Sequence, residues 1–520
     1  VPMTQAMLET AAQHPDRPAI VGEGESLTYR ELIADSSRLF AVVGGLHRAQ
    51  ADPPAPAAET RGIPIAAISA ESAFATARFV VGLAGFRAVS ATIDPRWPLE
   101  HRVDVVLTTG IGLVVTDTDD LAPALAQRGW TGTVIGLDDF TRRIDGLRGA
   151  PTGPPLERPA VRDGDEAFLM LFSSGTTSNP KAFLKTRDQY RANAAVSTAH
   201  LEPFAGVATL APGPVSYSLT LYAVVECMAT GGSVHVADGF DALALAHRID
   251  DEAITRVVVV PAVVRALTDA ARRAPERFAR LDLVVTGGAN LPASIRAGLA
   301  DVLPHVRLIS YYGAAEIGFI GDSRDGDGTL ISIYDGIGAQ IREESGDLAP
   351  DGEIGTLWIL AAACSAGYLA GTTDEVLVGP DGWASVHDQG RIVDGRLELV
   401  GRAGDIAITG GHKVALPEVE RAFDDLVGLR DVCAVPLPDP ALGTVVALVI
   451  EAGAGEGPAG SSAKAALTKD VLREHAQERL APQYVPRRWF RVDALPRTVG
   501  GKIRRPATRD LVLEGKAERL

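Results

Sequence analysis

Through the middle of the chain, short apolar runs alternate with stretches whose apolar positions recur every three or four residues. "ITRVVVV" at residues 254–260 is β-branched and reads as a strand, and "AVVRALTDAARR" after Pro261 has helical spacing. "LDLVVT" at 281–286 predicts the next strand. "GGANLPASIRAGLADVL" predicts a loop and a helix, with Pro292 near the first turn, where its missing N–H is tolerated. "VRLISYY" then returns to a strand. Such alternation predicts a parallel sheet covered by helices. Across 337–360 the pattern shifts to short runs joined by Gly and Asp turns, which predicts an antiparallel, β-barrel-like section. Near the end a helix "LPEVERAFDDL", strands "DVCAVPL" and "TVVALVI", a helix "KDVLREHAQERL" and a strand "RRWFRV" predict a small α/β unit. The fold class expected is therefore α/β. A large N-terminal domain of helix-flanked sheets plus the barrel-like section spans 1–403, and a small C-terminal domain spans 404–520, with "GRAGD" at 401–405 as the joint. Residues 49–62 and 451–465 are rich in Ala, Pro, Gly and Ser and predict solvated loops.

The length of 520 residues agrees with more than one domain, since single cores stop growing near ~250–300 residues. Lys and Arg number 50 against 66 Asp and Glu, a net charge of −16. That balance argues against a bulk nucleic-acid or anionic-membrane partner but leaves room for a local basic pocket. Cys227, Cys364 and Cys433 lie far apart with no CxxC pair, so neither disulfides nor a cysteine-rich zinc site is expected. A cytoplasmic location is expected. The opening "VPMTQAMLETAAQHPDRP" lacks a basic region followed by an apolar core, so no signal peptide is expected, and no apolar run reaches membrane-spanning length.

Four segments carry candidate chemistry. "SSGTTSNPK" at 173–181 supplies small residues, hydroxyls and a lysine, the ingredients of a phosphate cradle. It is no Walker A loop, because Asn179-Pro180 precedes Lys181, and Pro180 argues against an immediate helix start. "SYYGAAEIG" at 310–318 ends a strand with two aromatics and follows a glycine with Glu316, suiting base stacking and Mg2+ binding. Around residues 381–420, Asp388 can accept ribose hydroxyls and Arg402 can meet ribose or phosphate. "LPRTVGGKIRR" at 495–505 places Lys502 in a basic stretch near the chain end. Alone, each segment reads more simply as a plain loop, a core tyrosine pair, a surface charge or a basic tail.

Together, in this order, they resemble the adenylate-forming superfamily of acyl-CoA synthetases, peptide-synthetase adenylation domains and luciferases. The pattern [ST]SG[ST]TGxPKG matches residues 173–182, YGxTE matches 312–316, and GWxxTGDxG matches 382–390. GRxxDxIxxxGxxVxPxEIE matches 401–420, and PxTxxGKIxR matches 496–505. The resemblance covers almost the whole chain, most closely as a stand-alone acyl-CoA synthetase. It implies ATP, Mg2+ and CoA as a co-substrate. It also implies that Ser173, Ser174, Gly175, Thr176, Thr177 and Lys181 wrap the β,γ-phosphates. Tyr312 and Gly313 would lie at the adenine with Gly288 and Ala289 beside them, Glu316 would hold Mg2+, Asp388 the ribose, and Arg402 ribose or phosphate. Lys502, on a mobile C-terminal domain, would bridge the carboxylate and the α-phosphate, making Lys502, Glu316 and Lys181 the catalytic set. After adenylation that domain would turn about Gly404, so that Gly410, Gly411, His412 and Lys413 line the pantetheine tunnel. Gly404 also reads as a plain turn glycine.

The departures from the patterns are Ser178 and Ala182 in the first, Ala315 in the second, and Val386-His387 in place of Thr-Gly in the third. At the place where amino-acid adenylation domains carry an Asp for the α-ammonium, this chain has Ser216, so a free α-amino acid is not expected. Tyr217 is a candidate lid of the acyl pocket, and equally a packed core tyrosine. Gly287, Tyr311 and Ala314 complete the pocket, whose small residues suggest room for a bulky or long apolar acid. The expected partners are a small carboxylic acid and CoA, with a separate carrier protein as the alternative acceptor. A homodimer and a non-catalytic nucleotide-binding role stay open.

Overall fold

The computed structural model describes residues 2–148, 155–173, 180–288, 291–324, 329–409, 412–439, 442–452, 467–480, 482, 484–498 and 502–520. At 402, 403, 408, 412, 413, 443 and 452 the backbone alone is described. Two large sheets make up most of the chain. The first has six strands in the order Thr133–Gly136, Ile111–Thr116, Ile65–Ser69, Val89–Thr92, Ala167–Ser173 and Lys181–Thr186. Its strands run parallel except for the last pair, an antiparallel hairpin in which Ser173 faces Lys181. The loop expected to cradle phosphate therefore joins two strands and does not open a helix, as Pro180 implied; residues 174–179 lie outside the described set.

The second sheet has thirteen strands. Its parallel half contains the expected strands Arg256–Val259, Leu283–Thr286 and Arg307–Ala314. The expected helices follow at Pro261–Arg273 and Ala293–Val302, with Pro292 as the N-cap of the second. Beyond Arg307–Ala314 the sheet turns antiparallel, through Gly318–Ser323, Leu330–Ile333, Arg396–Arg402, Asp388–Val393, Gly355–Leu360 and Gly338–Arg342. This part surrounds its own core of Ile317, Ile320, Ile331, Ile341, Leu357, Ile359, Leu397 and Leu399, the barrel-like section of the sequence reading. Between the two sheets, Phe168, Leu171 and Phe183 pack with Val234, Val258, Leu283 and Ile309 around the buried helix Ser218–Thr230. Burying each such side chain contributes on the order of 1.5–3 kcal/mol.

The helix Arg187–His200 starts straight after the Lys181 strand because Thr186 and Gln189 form a reciprocal capping box. It carries Asn193 to the second sheet, where Oδ1 accepts the Phe319 N–H at 2.9 Å. That bond ties the hairpin containing Glu316 to the first sheet's edge.

The C-terminal part has a four-stranded sheet, Leu429–Asp439, Gly443–Ala452, Arg488–Val492 and Glu518–Arg519, and its own core around Phe423, Leu448 and Trp489. The helix expected over 416–426 is regular only through Leu416–Arg421. It then tightens into turns, with Phe423 N–H bonded to the Glu420 carbonyl and Leu426 N–H to that of Phe423. The loop expected at 451–465 begins later: Glu451 and Ala452 end a strand. Glu451 is buried, accepts the Leu495 N–H at 2.8 Å and pairs with Arg430 and Arg497. Those partners let a charged residue in a loop-like sequence turn inward. Residues 453–466 lie outside the described set.

Candidate active site

The hairpin of Arg307–Ala314 and Gly318–Ser323 presents the site's first group. Its tight turn closes with the Ile317 N–H on the Ala314 carbonyl at 3.0 Å. Gly313 is required there, because a Cβ would stand 2.6 Å from the Gly318 carbonyl oxygen. Glu316, in this turn, is 6% exposed. Its Oε1 accepts the Tyr368 hydroxyl at 3.0 Å. Burial first, and the neighbouring Glu316 charge second, push the Tyr368 phenol well above its usual range, so it stays a donor.

Tyr368 arrives on residues 365–372, which lie along the Lys181–Thr186 strand. Phe183 bridges Tyr368, and the Leu369 N–H meets the Ala182 carbonyl at 2.8 Å. Alternation along that strand puts Lys181 and Lys185 on one side. Lys181 Nζ lies 5.5 Å from the Tyr368 ring centre and pairs with Glu375, whose carboxylate also lies 3.9 Å from His387 Nε2. Lys185 is 1% exposed, and its Nζ donates to the carbonyls of Glu316 and Ala363, each at 2.7 Å. Burial pulls this ammonium down to about 8.

The nucleoside candidates meet across the antiparallel strands. Tyr312 OH donates to Asp388 Oδ2 at 2.6 Å. The Arg402 backbone pairs with Asp388 in register; its side chain lies outside the described set, as do Ser174, Gly175, Thr176, Thr177 and Ala289. Ser173 ends its strand opposite Lys181. His387, where the family pattern has glycine, has φ +63°, which explains why glycine suits that place.

Lys502 reaches this region from the C-terminal part. Residues 496–498 lie alongside 502–504, with the Thr498 N–H on the Lys502 carbonyl at 2.7 Å and the Arg504 N–H on the Pro496 carbonyl at 2.7 Å. The Lys502 ammonium lies 3.8 Å from where a Cβ on Gly288 would be, and Gly288 has φ +79°. Gly288 thus allows both the left-handed turn and the lysine's approach.

This segmentation decides the family. Residues 7–369 match the AMP-binding enzyme family, and residues 418–502 match the AMP-binding enzyme C-terminal domain.

The chain belongs to the AMP-binding enzymes, the adenylate-forming superfamily.

Its relatives include the uncharacterized acyl-CoA ligase YhfT of Bacillus subtilis strain 168, 26% identical over 517 residues, with 97% of each chain covered. The medium/long-chain-fatty-acid acyl-carrier-protein ligase FadD10 of Mycobacterium tuberculosis is 27% identical over 534 residues, covering 96% of this chain and 93% of that one. ATP-bound MatB from Rhodopseudomonas palustris shares the fold at a TM-score of 0.83, with 20% identity and 98% and 99% coverage.

Among the residues expected at the acyl pocket, Tyr217 caps the helix Ser218–Thr230, with its N–H on the Pro214 carbonyl at 3.0 Å. The space Gly287 leaves is taken by Tyr311, whose ring carbon would be 2.5 Å from a Cβ there, so this glycine does not open the room for an acid expected of it; Phe319 backs that ring edge-on at 4.9 Å. Ala314 is half-buried against the antiparallel core. Ser216 Oγ and Thr286 Oγ1 are buried without a hydrogen-bond partner among the described residues. His412 and Lys413 lie on a two-stranded hairpin, backbone only, and Gly410 and Gly411 lie outside the described set. Gly404 sits in the turn Ala403–Asp405, with nothing within 4 Å of a Cβ and no left-handed φ. Tyr368, Lys185 and Glu375 belong to none of the matched patterns. The one sequence signal for Lys185 is a charge at a core position of a strand.

Proposed function

We propose that this AMP-binding enzyme is an ATP-dependent acyl-CoA synthetase. It activates a carboxylic acid, bulky or apolar and not a free α-amino acid, as acyl-AMP, and then passes the acyl group to CoA. The observation that carries the reading is Lys502 from the C-terminal part standing at Gly288, itself one of the residues suited to ATP. A carboxylate attacking an anionic α-phosphate needs cations and oriented donors where charge builds up. Lys502 supplies one cation there and Lys181 another at the β,γ-phosphates, while Tyr312 and Asp388 hold the nucleoside. Glu316 is a buried carboxylate whose Oε1 accepts a phenol. That suits Mg2+, which takes one or two carboxylates and otherwise phosphate oxygens and water. Glu316 would hold the ion, and the chemistry it would supply is neutralisation of phosphate charge.

The second half-reaction needs Lys502 out of the way. In this structure neither space nor backbone conformation demands glycine at Gly404, which favours a hinge over a plain turn. Ser216 leaves no carboxylate for an α-ammonium. Transfer to a separate carrier protein is the second reading, favoured by the acyl-carrier-protein ligase among the relatives. A non-catalytic nucleotide binder is disfavoured because Lys181, Glu316, Asp388, Arg402 and Lys502 are all present.

The test is pyrophosphate release with MgATP across short, long-chain, aromatic, polycyclic and amino acids, with and without CoA, and products identified by mass. Acyl-CoA from an apolar acid is the expected product. Acyl-AMP accumulating despite CoA moves the reading to a carrier protein. No adenylate from any acid moves it to the non-catalytic binder.

A further inference from the structure

The nucleotide reading assigns Lys181 to the terminal phosphates of ATP. Yet its ammonium already has an anion. Lys181 is only 14% exposed at its side chain and is ion-paired with Glu375. The segment that carries Glu375 is anchored, not loose. Thr372 Oγ1 accepts the Ala182 N–H at 3.3 Å and donates to the Leu369 carbonyl at 2.7 Å. The Glu375 N–H binds Thr373 Oγ1 at 3.1 Å, and Leu377 is buried two residues on. The carboxylate, 44% exposed, is held toward Lys181 with its other flank open.

On that flank stands His387, with Nε2 3.9 Å from the same carboxylate oxygen. Its φ of +63° is one that L-residues adopt at a penalty. Its N–H is held by Ser385 Oγ at 3.1 Å. The chain thus accepts a strained backbone and places an imidazole beside Glu375, where a glycine would fit without strain.

A triphosphate arriving at this ammonium competes with the carboxylate already there, because like charges repel at close range. A carboxylate that gives way needs a new partner or water. We propose that Glu375 is the counter-ion Lys181 exchanges for the terminal phosphates of ATP, and that His387 receives the displaced carboxylate. Glu375 then sets a threshold: a ligand must carry enough charge to displace it, so MgATP succeeds where a singly charged anion does not. The other charged groups near the exchange are Asp374 beside Glu375, Asp388 beside His387, and Glu316 across Tyr368. All three are anionic in type, so among these described groups the imidazole is the receiver of opposite or neutral character. This inference rests on the nucleotide reading above.

The test is direct binding of the Mg2+ complex of α,β-methylene-ATP to the full-length protein by calorimetry. Glu375→Gln should bind it tighter, by about three- to ten-fold, because an amide no longer competes for Lys181. A residue that merely holds the fold together would give unchanged or weaker binding, so that outcome overturns the inference. Glu375 is half exposed, so the variant should fold, and its circular dichroism checks this. The gain should vanish in a Lys181→Met background. His387→Gly suits the local φ and should weaken binding by about two- to five-fold, through a carboxylate with nowhere to go. In the Glu375→Gln background the same change should do nothing further; an effect that persists there sinks the hand-over to His387. Wild-type protein that fails to bind the analogue at all would instead remove the nucleotide reading, and this inference with it.

Discussion

Lys502 and Lys185 are two lysines with opposite settings, and each leads to a measurable outcome. Lys502 is exposed on its own unit and meets the large domain at Gly288. Lys502→Ala should lower pyrophosphate release by at least about 100-fold while binding of MgATP persists, as expected of a group that acts on the developing charge. Equal loss of both would remove its assignment to the chemical step. Lys185 is buried against two carbonyls, and its folded value near 8 lies below the ordinary 10.5. Below pH about 8 it is charged both folded and unfolded, so the penalty for burying it is fully present. From there to about 10.5 the folded protein gives up the proton first, and stability rises by on the order of 3 kcal/mol. Lys185→Met lacks that rise, so the stability difference between wild type and variant should grow in favour of wild type from pH 7 to pH 10, read by denaturant unfolding. The two residues also mark what a sequence discloses. Lys502, Lys181, Glu316 and Asp388 stand in patterns whose chemistry demands those residue types. Lys185, Tyr368 and Glu375 acquire their surroundings only when residues 361–377 fold against the Lys181 strand, a juxtaposition of segments far apart in the chain.

Among elements, the strands and helices around 254–314 were legible because β-branched runs and 3.6-residue spacing compete with nothing else there. The end of the helix starting at Leu416 was not legible. Its apolar spacing continues to Leu426, but the chain tightens at Phe423 to bury that ring against Trp489, at 6.2 Å and edge-on. Tertiary packing overrode the local period. The strand continuing through Ala452 was missed for a similar reason, since Glu451 is neutralised by arginines from elsewhere in the C-terminal part. The helix Arg187–His200 offers a check on how local signals hold the site. Thr186 caps it, and its Asn193 anchors the Glu316 hairpin. Thr186→Ala should destabilise the protein by about 1 kcal/mol, seen as a lower denaturant midpoint with an unchanged slope. An unchanged midpoint would mean that the capping box is replaced by water.

For the whole molecule, the arrangement seen here has Lys502 at Gly288, and a contact of Arg265 Nη1 with the Arg430 carbonyl at 3.5 Å spans the same two bodies. On the proposed reading, thiol transfer requires that arrangement to be given up. Gly404→Pro should therefore leave acyl-AMP formation within about three-fold and lower acyl-CoA formation by at least about ten-fold, since proline fixes φ at the turn. Equal losses in the two half-reactions would place the pivot elsewhere. Arg505 gives this motion a further consequence. Three residues after Lys502, its Nε donates to Asp405 at 2.6 Å, and the same guanidinium pairs with Glu420. The residue after Gly404 and the segment bearing the lysine are thus clamped together, so a small body turning about Gly404 would move as a lever whose handle and tip are one piece. For anyone grafting this body onto another large domain, the seam belongs ahead of Gly404. A junction placed after Asp405 would cut the clamp and leave the lysine aimed by the donor while the pivot answers to the host.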